Sequence, residues 1–222
     1  MTMGKIVLYT NVKGGVGKTT LCGIFATYLA NIGRTIAVVD ADLQQSLFRH
    51  RMRDLQQNPD ASLPWEINTL RDRAPEEVAI IMEGLKQLPY DVIIDCPGNL
   101  VDPNLKVIYS CADIAVVPIH YDSDTLDATQ MFCEVFKAHF GAKIFFVPNG
   151  IVSVEERREH LQQERDKAIE QLKAYGTVTP RIKRSVVISD YNTLLPLTTY
   201  QMNAVKYAFE PIINELQEGG GV

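Results

Sequence analysis

Residues 11–20 read N-V-K-G-G-V-G-K-T-T, so that Gly14, Gly15, Val16 and Gly17 lead straight into Lys18, Thr19 and Thr20. Glycines this close together permit a tight backbone whose N–H groups converge on anionic oxygens, and a helix beginning just beyond adds the positive end of its dipole. Lys18 brings a full charge to such an anion. The Thr19 hydroxyl suits Mg²⁺, which prefers hard oxygen ligands and keeps several waters beside phosphates. The chemistry implied is the binding of a phosphorylated ligand with a divalent cation.

Carboxylates stand where further strands should end. In V-V-D-A-D-L-Q-Q-S, Asp40 and Asp42 follow Val39, and in Y-D-V-I-I-D-C-P-G an apolar run ends at Asp95. Carboxylates at strand ends facing a phosphate site can hold Mg²⁺ through water or orient an attacking water. They can also do no more than cap a helix or shape a turn. In F-V-P-N-G, Asn149 offers a donor and an acceptor, which match a purine edge, although an Asn before Gly150 is also an ordinary turn residue.

These side chains need a scaffold that brings strand ends together. Ile6 to Tyr9, Thr35 to Val39, Val92 to Ile94, Ile114 to Val117 and Lys143 to Val147 read as buried strands separated by helix-length segments. That rhythm predicts an α/β fold, a mostly parallel twisted sheet with helices on both faces and ligands at the carboxyl ends of its strands. Leu21 to Ile32 and Thr125 to Phe140 are predicted helices, stopped by Gly33 and Gly141 in left-handed C-caps. Two prolines mark a loop from Asn58 to Pro64. Ser153 and Glu156 have capping-box spacing at the start of a charged helix, with Leu161, Ala168, Leu172 and Tyr175 on one face and Glu155, Arg158, Arg165 and Asp166 opposite.

A chain of 222 residues, 46% hydrophobic and 22% charged, is expected to form one domain over residues 1–217, with 218–222 as a flexible tail. Cys22, Cys96, Cys111 and Cys133 lack zinc or disulfide spacing and read as buried free thiols. No signal-peptide pattern precedes the first strand and no run approaches a membrane span, so a cytoplasmic location is expected. The net charge of -5 leaves any nucleic-acid contact to local patches.

The ordinary phosphate-loop pattern G-x-x-x-x-G-K-[ST] would put glycine at position 12, where this chain has Val12 followed by Lys13. That departure resembles the deviant Walker A motif, K-G-G-x-G-K-[ST], of the ParA/MinD family of P-loop ATPases, and the likeness spans roughly the whole chain. The segment at Asp40 is similar to the family's D-x-D-P-Q-G-N first switch, with Leu43, Gln45 and Ser46 replacing its proline, glycine and asparagine. The segment at Asp95 is similar to its D-x-P-P second switch, with Gly98 for the second proline. Nitrogenase iron proteins share the deviant loop, but their cysteine contexts do not occur around Cys96.

The resemblance implies a P-loop NTPase with ATP and Mg²⁺ as cofactors, acting as a homodimer that sandwiches ATP. It implies that Lys18 and the loop amides hold the phosphates, that Lys13 reaches across the dimer to stabilise transition-state charge, and that Asn149 contacts adenine. Thr19 would bind Mg²⁺ directly and Asp95 through water, while Asp42, also at the metal, would position the attacking water. ParA-type members lacking an N-terminal DNA-binding domain are the nearest pattern, since little chain precedes the first strand. They work with an adaptor that stimulates hydrolysis.

Output surfaces are harder to read. Arg181, Lys183 and Arg184 in T-P-R-I-K-R-S resemble the arginine-containing stretch used for non-specific DNA, and Arg49, Arg51 and Arg53 form a second basic cluster. The C-terminal P-I-I-N-E-L-Q-E carries Glu215 and Glu218, an acidic end that anionic lipid would repel, so no membrane partner is expected. A MinD-like positioning ATPase and a metabolic P-loop enzyme are the competing readings.

Overall fold

The computed structural model describes residues 3–98, 102–152 and 158–218. Ser153, Glu155, Glu156 and the Gly219 to Gly221 run lie outside the described residues. In chain order the elements are β1 Ile6–Tyr9, α1 Lys18–Asn31, β2 Ile36–Asp40, α2 Ser46–Gln57, β3 Glu66–Thr69, α3 Pro75–Lys86, β4 Asp91–Asp95 and α4 Pro103–Ser110. They continue with β5 Ile114–Ile119, α5 Ser123–His139, β6 Lys143–Pro148, α6 Glu159–Lys173, β7 Thr177–Val178, α7 Val186–Ser189 and α8 Thr199–Glu218.

The strands form one sheet in the order β3-β2-β4-β1-β5-β6-β7, with every pair parallel. All five strands read from the sequence are present. β3 and β7 were not anticipated: β3 is a polar E-I-N-T edge with alternating exposure, and β7 is two residues long. Neither offers the buried β-branched run that marks an inner strand.

Alternation divides each inner strand between two cores, because successive side chains point to opposite faces. Val7 and Tyr9 join Val38, Ile93 and Val116 under α1 and α8, where Phe25, Leu29, Val205, Phe209 and Ile212 pack. Ile6 and Leu8 join Val39, Ile94 and Val117 under α3, α4 and α5, where Met82, Ile108, Phe132 and Phe136 pack. Burial on both faces explains why these strands read as unbroken apolar runs.

Helix α1 stops as expected: Gly33 is left-handed at φ 82° and Arg34 N–H returns to Leu29 O at 3.0 Å. Helix α5 does not stop on a left-handed Gly141. It ends at Phe140, whose φ of -131° and ψ of 148° turn the chain directly into an extended path. Helix α8 lays Val205, Phe209, Ile212 and Leu216 on the core, and its Glu215 carboxylate accepts from Lys143 Nζ at 2.7 Å and Lys5 Nζ at 3.4 Å. One of the two charges of the acidic C-terminal end is therefore paired with the domain. No described helix is long and apolar enough to cross a membrane.

Candidate functional site

Strand β1 lies between β4 and β5, where the strand order reverses, and open parallel sheets bind ligands beyond the carboxyl ends of strands at such a point. The loop leaving β1 is anchored at its base by Asn11, which is 1% exposed. Its amide donates to Pro118 O at 2.9 Å and Thr129 Oγ1 at 3.1 Å, while its Oδ1 accepts from Lys13 N at 3.1 Å. Gly15 and Gly17 are left-handed at φ 78° and 95°. Gly17 caps α1, and no side chain at that cap accepts from the helix's first N–H groups. Those donors and the dipole behind them point into the loop.

Space as well as torsion requires glycine at 17. A Cβ there would lie 2.4 Å from Asn149 Nδ2, which donates to Val16 O at 2.9 Å. Asn149, expected at a purine edge, thus clamps the loop backbone with its amide nitrogen. Lys18 is 8% exposed and its Nζ donates to Lys13 O at 3.2 Å, so the ammonium lies under the loop. Burial lowers its pKa, opposed by the charges of Asp95, Asp42 and Cys96. Gly98 lies close enough that an added Cβ would be 3.1 Å from Lys18 Nζ, which brings the second carboxylate loop against the first.

Tyr9, Asp40 and Asp95 are in register at the ends of β1, β2 and β4, and Cys96 N–H donates to Tyr9 O while Ala41 N–H donates to Asp95 O. The two aspartates differ in what they do. Asp40, fully buried, is consumed by structure: Oδ1 accepts from Asp42 N at 3.1 Å and Oδ2 from Phe48 N at 2.9 Å. It ties the Asp42 loop and the start of α2 to the strand end. Asp42 itself is half-buried, with Oδ1 accepting from Gln44 N at 2.9 Å.

Asp95 is fully buried, and no hydrogen bond of ordinary geometry reaches either carboxylate oxygen, although the Thr19 hydroxyl lies near enough to favour the charged form. Its pKa is raised well above the ordinary carboxylate range, first by burial and then by the charges of Asp40 and Asp42, against the pull of the Thr19 hydroxyl and Lys18. An orphaned buried carboxylate among like charges costs the fold free energy unless a cation or ordered water satisfies it. Thr19, Asp42 and Asp95 therefore fit a hydrated Mg²⁺, an oxygen-only donor set beside a phosphate loop.

The remaining expected residues scatter. Lys13 Nζ lies 3.8 Å from Asp124 Oδ2 at the start of α5, an exposed contact worth little by itself. Lys183 and Arg184 lie beside the phosphate loop. With Gly15, Thr20, His120, Asn149 and Ser185 they line a cleft of about 390 Å³ beside the phosphate loop. Arg181, Lys183 and Arg184 also line a second cleft against Tyr200 and Asn203 of α8.

The second basic cluster does not survive as a surface patch. Arg51 is 1% exposed, its guanidinium 3.8 Å above the Trp65 ring, and burial pulls its pKa down to about 10, opposed by Asp54 and Tyr191. Arg49 and Arg53 remain exposed. The sequence pattern missed Arg51 because its partners, Trp65 and Thr193, come from distant segments. His120 was also missed, and no motif marks it, whereas Ser185 closes the T-P-R-I-K-R-S stretch without having been singled out.

A family model described as the CobQ/CobB/MinD/ParA nucleotide binding domain matches residues 7–193. The septum site-determining protein MinD of Bacillus subtilis is 28% identical over 142 residues, 52% of this chain and 53% of that protein. The chain spans about half the length of the curated relatives it matches. A putative plasmid partition protein from Borrelia burgdorferi bound to AMPPNP superposes with a TM-score of 0.73 at 17% identity, covering 96% of this chain and 99% of that one. McdA from Cyanothece in its apo form superposes at 0.72 and 19% identity, covering 98% and 99%. At such identities these structures speak for the shared fold.

Proposed function

The chain belongs to the CobQ/CobB/MinD/ParA nucleotide-binding family, and on that premise we propose that it is a Mg²⁺-dependent ATPase of the ParA type. In this reading two protomers sandwich ATP, and the dimer binds DNA without sequence preference until hydrolysis releases it. The observation that carries the hydrolytic part is the convergence of an uncapped helix end, a buried Lys18 and the orphaned Asp95 carboxylate at one strand switch point.

The residues divide the work. The loop N–H groups and Lys18 bind the phosphates, and Gly17 with Asn149 fixes the loop's shape. Asp40 holds the Asp42 loop, so that the Asp42 carboxylate can orient a water and accept its proton. Thr19 and Asp95 would hold the metal. Bound Mg²⁺ would neutralise charge developing on the phosphate oxygens. Lys13 is free to leave its exposed contact with Asp124 at little cost and reach the partner's phosphates.

For the DNA surface, Arg181, Lys183 and Arg184 supply positive charge within one short segment. Lys183 and Arg184 border the nucleotide cleft, so the basic segment lies where it can respond to the nucleotide. A second reading, a MinD-like ATPase positioned at a membrane or on a protein assembly, is supported by the relationship to MinD. Against lipid insertion of α8, its apolar face is already buried in the core. An adaptor that stimulates hydrolysis belongs to either reading.

Binding to non-specific duplex DNA, measured with ATP, with ADP and after Arg181→Ala with Arg184→Ala, tests the proposal. Tight binding with ATP alone, lost in the double variant and steeply weakened by salt, is expected. Equal binding in both nucleotide states, or binding only to anionic liposomes in a parallel co-sedimentation series, would favour the second reading.

A further inference from the structure

Helix α2 carries two charged side chains that the nucleotide site does not use. Arg51 is 1% exposed and Asp54 7% exposed, and they meet through Thr193, which is fully buried. Arg51 Nε donates to Thr193 Oγ1 at 2.9 Å, and that hydroxyl donates to Asp54 Oδ2 at 2.6 Å. A second Arg51 nitrogen donates to Thr193 O at 3.0 Å, and Thr193 N donates to the same Asp54 oxygen at 2.7 Å. The third donates to Trp65 O at 2.8 Å. Every polar group of Thr193 is thus gripped by α2.

Two residues earlier, Tyr191 reaches α1. Its ring meets His50 of α2 edge-on at 4.9 Å, and its hydroxyl lies so close to Gly23 that an added Cβ would come within 1.9 Å. Helix α1 begins in the phosphate loop, and α2 begins after Asp42 and is tied to Asp40 through Phe48 N. The segment 191–193 therefore touches both helices that leave the nucleotide site. It is continuous with α7 and, eight and seven residues before Tyr191, with the basic residues at 183 and 184.

We infer that Arg51, Asp54 and Thr193 are positioning residues that couple the Asp42 loop to the basic segment 181–189. Displacement of α2 passes through Thr193 to that segment. A buried ion network adds little stability over apolar packing, but its directional bonds suit an element with two discrete arrangements. This inference rests on the reading that the site binds ATP.

The chain's single tryptophan, Trp65, lies inside the clamp and reports on it. AMPPNP with Mg²⁺ is expected to change Trp65 emission and to slow hydrogen exchange across residues 181–189. Thr193→Val should bind AMPPNP within roughly twofold of the native chain yet lose the exchange response by roughly threefold to tenfold. Thr193→Ser, which keeps the hydroxyl, should restore it. If the valine variant does not fold, the double variant Arg51→Met with Asp54→Leu, which leaves neither charge unpaired, should show the same uncoupling.

A full response in Thr193→Val or in the double variant would overturn the inference. So would bound AMPPNP that leaves both Trp65 and residues 181–189 of the native chain unchanged. Failure of AMPPNP to bind the native chain at all would instead overturn the nucleotide reading, and the inference with it.

Discussion

Asp95 sits at the end of β4 with both oxygens buried and unpartnered, and its pKa is raised by burial and by Asp40. A carboxyl whose folded pKa exceeds its unfolded one binds its proton more readily in the folded state. Its penalty on stability is therefore full above the folded pKa and is relieved as pH falls toward the unfolded value. Asp95→Asn should remove that penalty. Without nucleotide or Mg²⁺ at neutral pH the melting temperature should rise by roughly 2–4 °C, the shift that about 1 kcal/mol gives in a domain of this size. ATP turnover should fall by roughly a hundredfold or more, since the carboxylate proposed to hold the metal is gone. Thermal melts and a phosphate-release assay on one preparation check both signs. At Gly17 the constraint is steric: Gly17→Ala meets Asn149 Nδ2 at 2.4 Å with φ at 95°. Nucleotide affinity, read by calorimetry, should drop about tenfold or more, on a backbone and contact cost of about 1–3 kcal/mol.

Helices α1 and α2 show why local propensity is a poor guide where elements touch. Gly23 lies in the middle of α1, where alanine gains about 1 kcal/mol of helix propensity. The Tyr191 hydroxyl occupies the space a methyl would need, so Gly23→Ala should destabilise the chain by about 1–3 kcal/mol. Tyr191→Phe removes that buried, unpartnered hydroxyl and should recover part of the loss, the ring carbon at 2.7 Å and Leu47 Cδ1 at 2.9 Å still crowding the added methyl. A double-mutant cycle by urea denaturation measures the coupling. The same distinction decides what was legible in the sequence. The five inner strands and α1 were readable because both faces are buried and Gly33 closes the helix. The placement of the phosphate loop, Asp42 and Asp95 beyond neighbouring strand ends was readable because each lies in one local segment at the end of a buried run. β3 escaped because an edge strand tolerates polar residues. Arg51 was misread as surface because the Trp65 ring and Thr193 that bury it come from other segments. The clamp that Asn149 makes on Val16 was not legible because it depends on a contact across 133 positions.

Across the whole molecule, an all-parallel sheet brings the ends of β1, β2 and β4 to one edge and leaves the phosphate loop between Lys18 below and the basic segment beside it. Family membership and fold agree with what the deviant loop implied. In the proposed reading the step from nucleotide site to function is dimerisation, because the role proposed for Lys13 requires a second protomer that presents its phosphates. Sedimentation velocity of the full chain at saturating ATP and Mg²⁺, beside the same sample with ADP, tests that step most directly. The account predicts a species of twice the 24.9 kDa chain mass with ATP, monomer with ADP, and monomer for Lys13→Ala under both conditions. A chain that binds ATP and stays monomeric, or a Lys13→Ala variant that dimerises and hydrolyses as the native chain does, would contradict it.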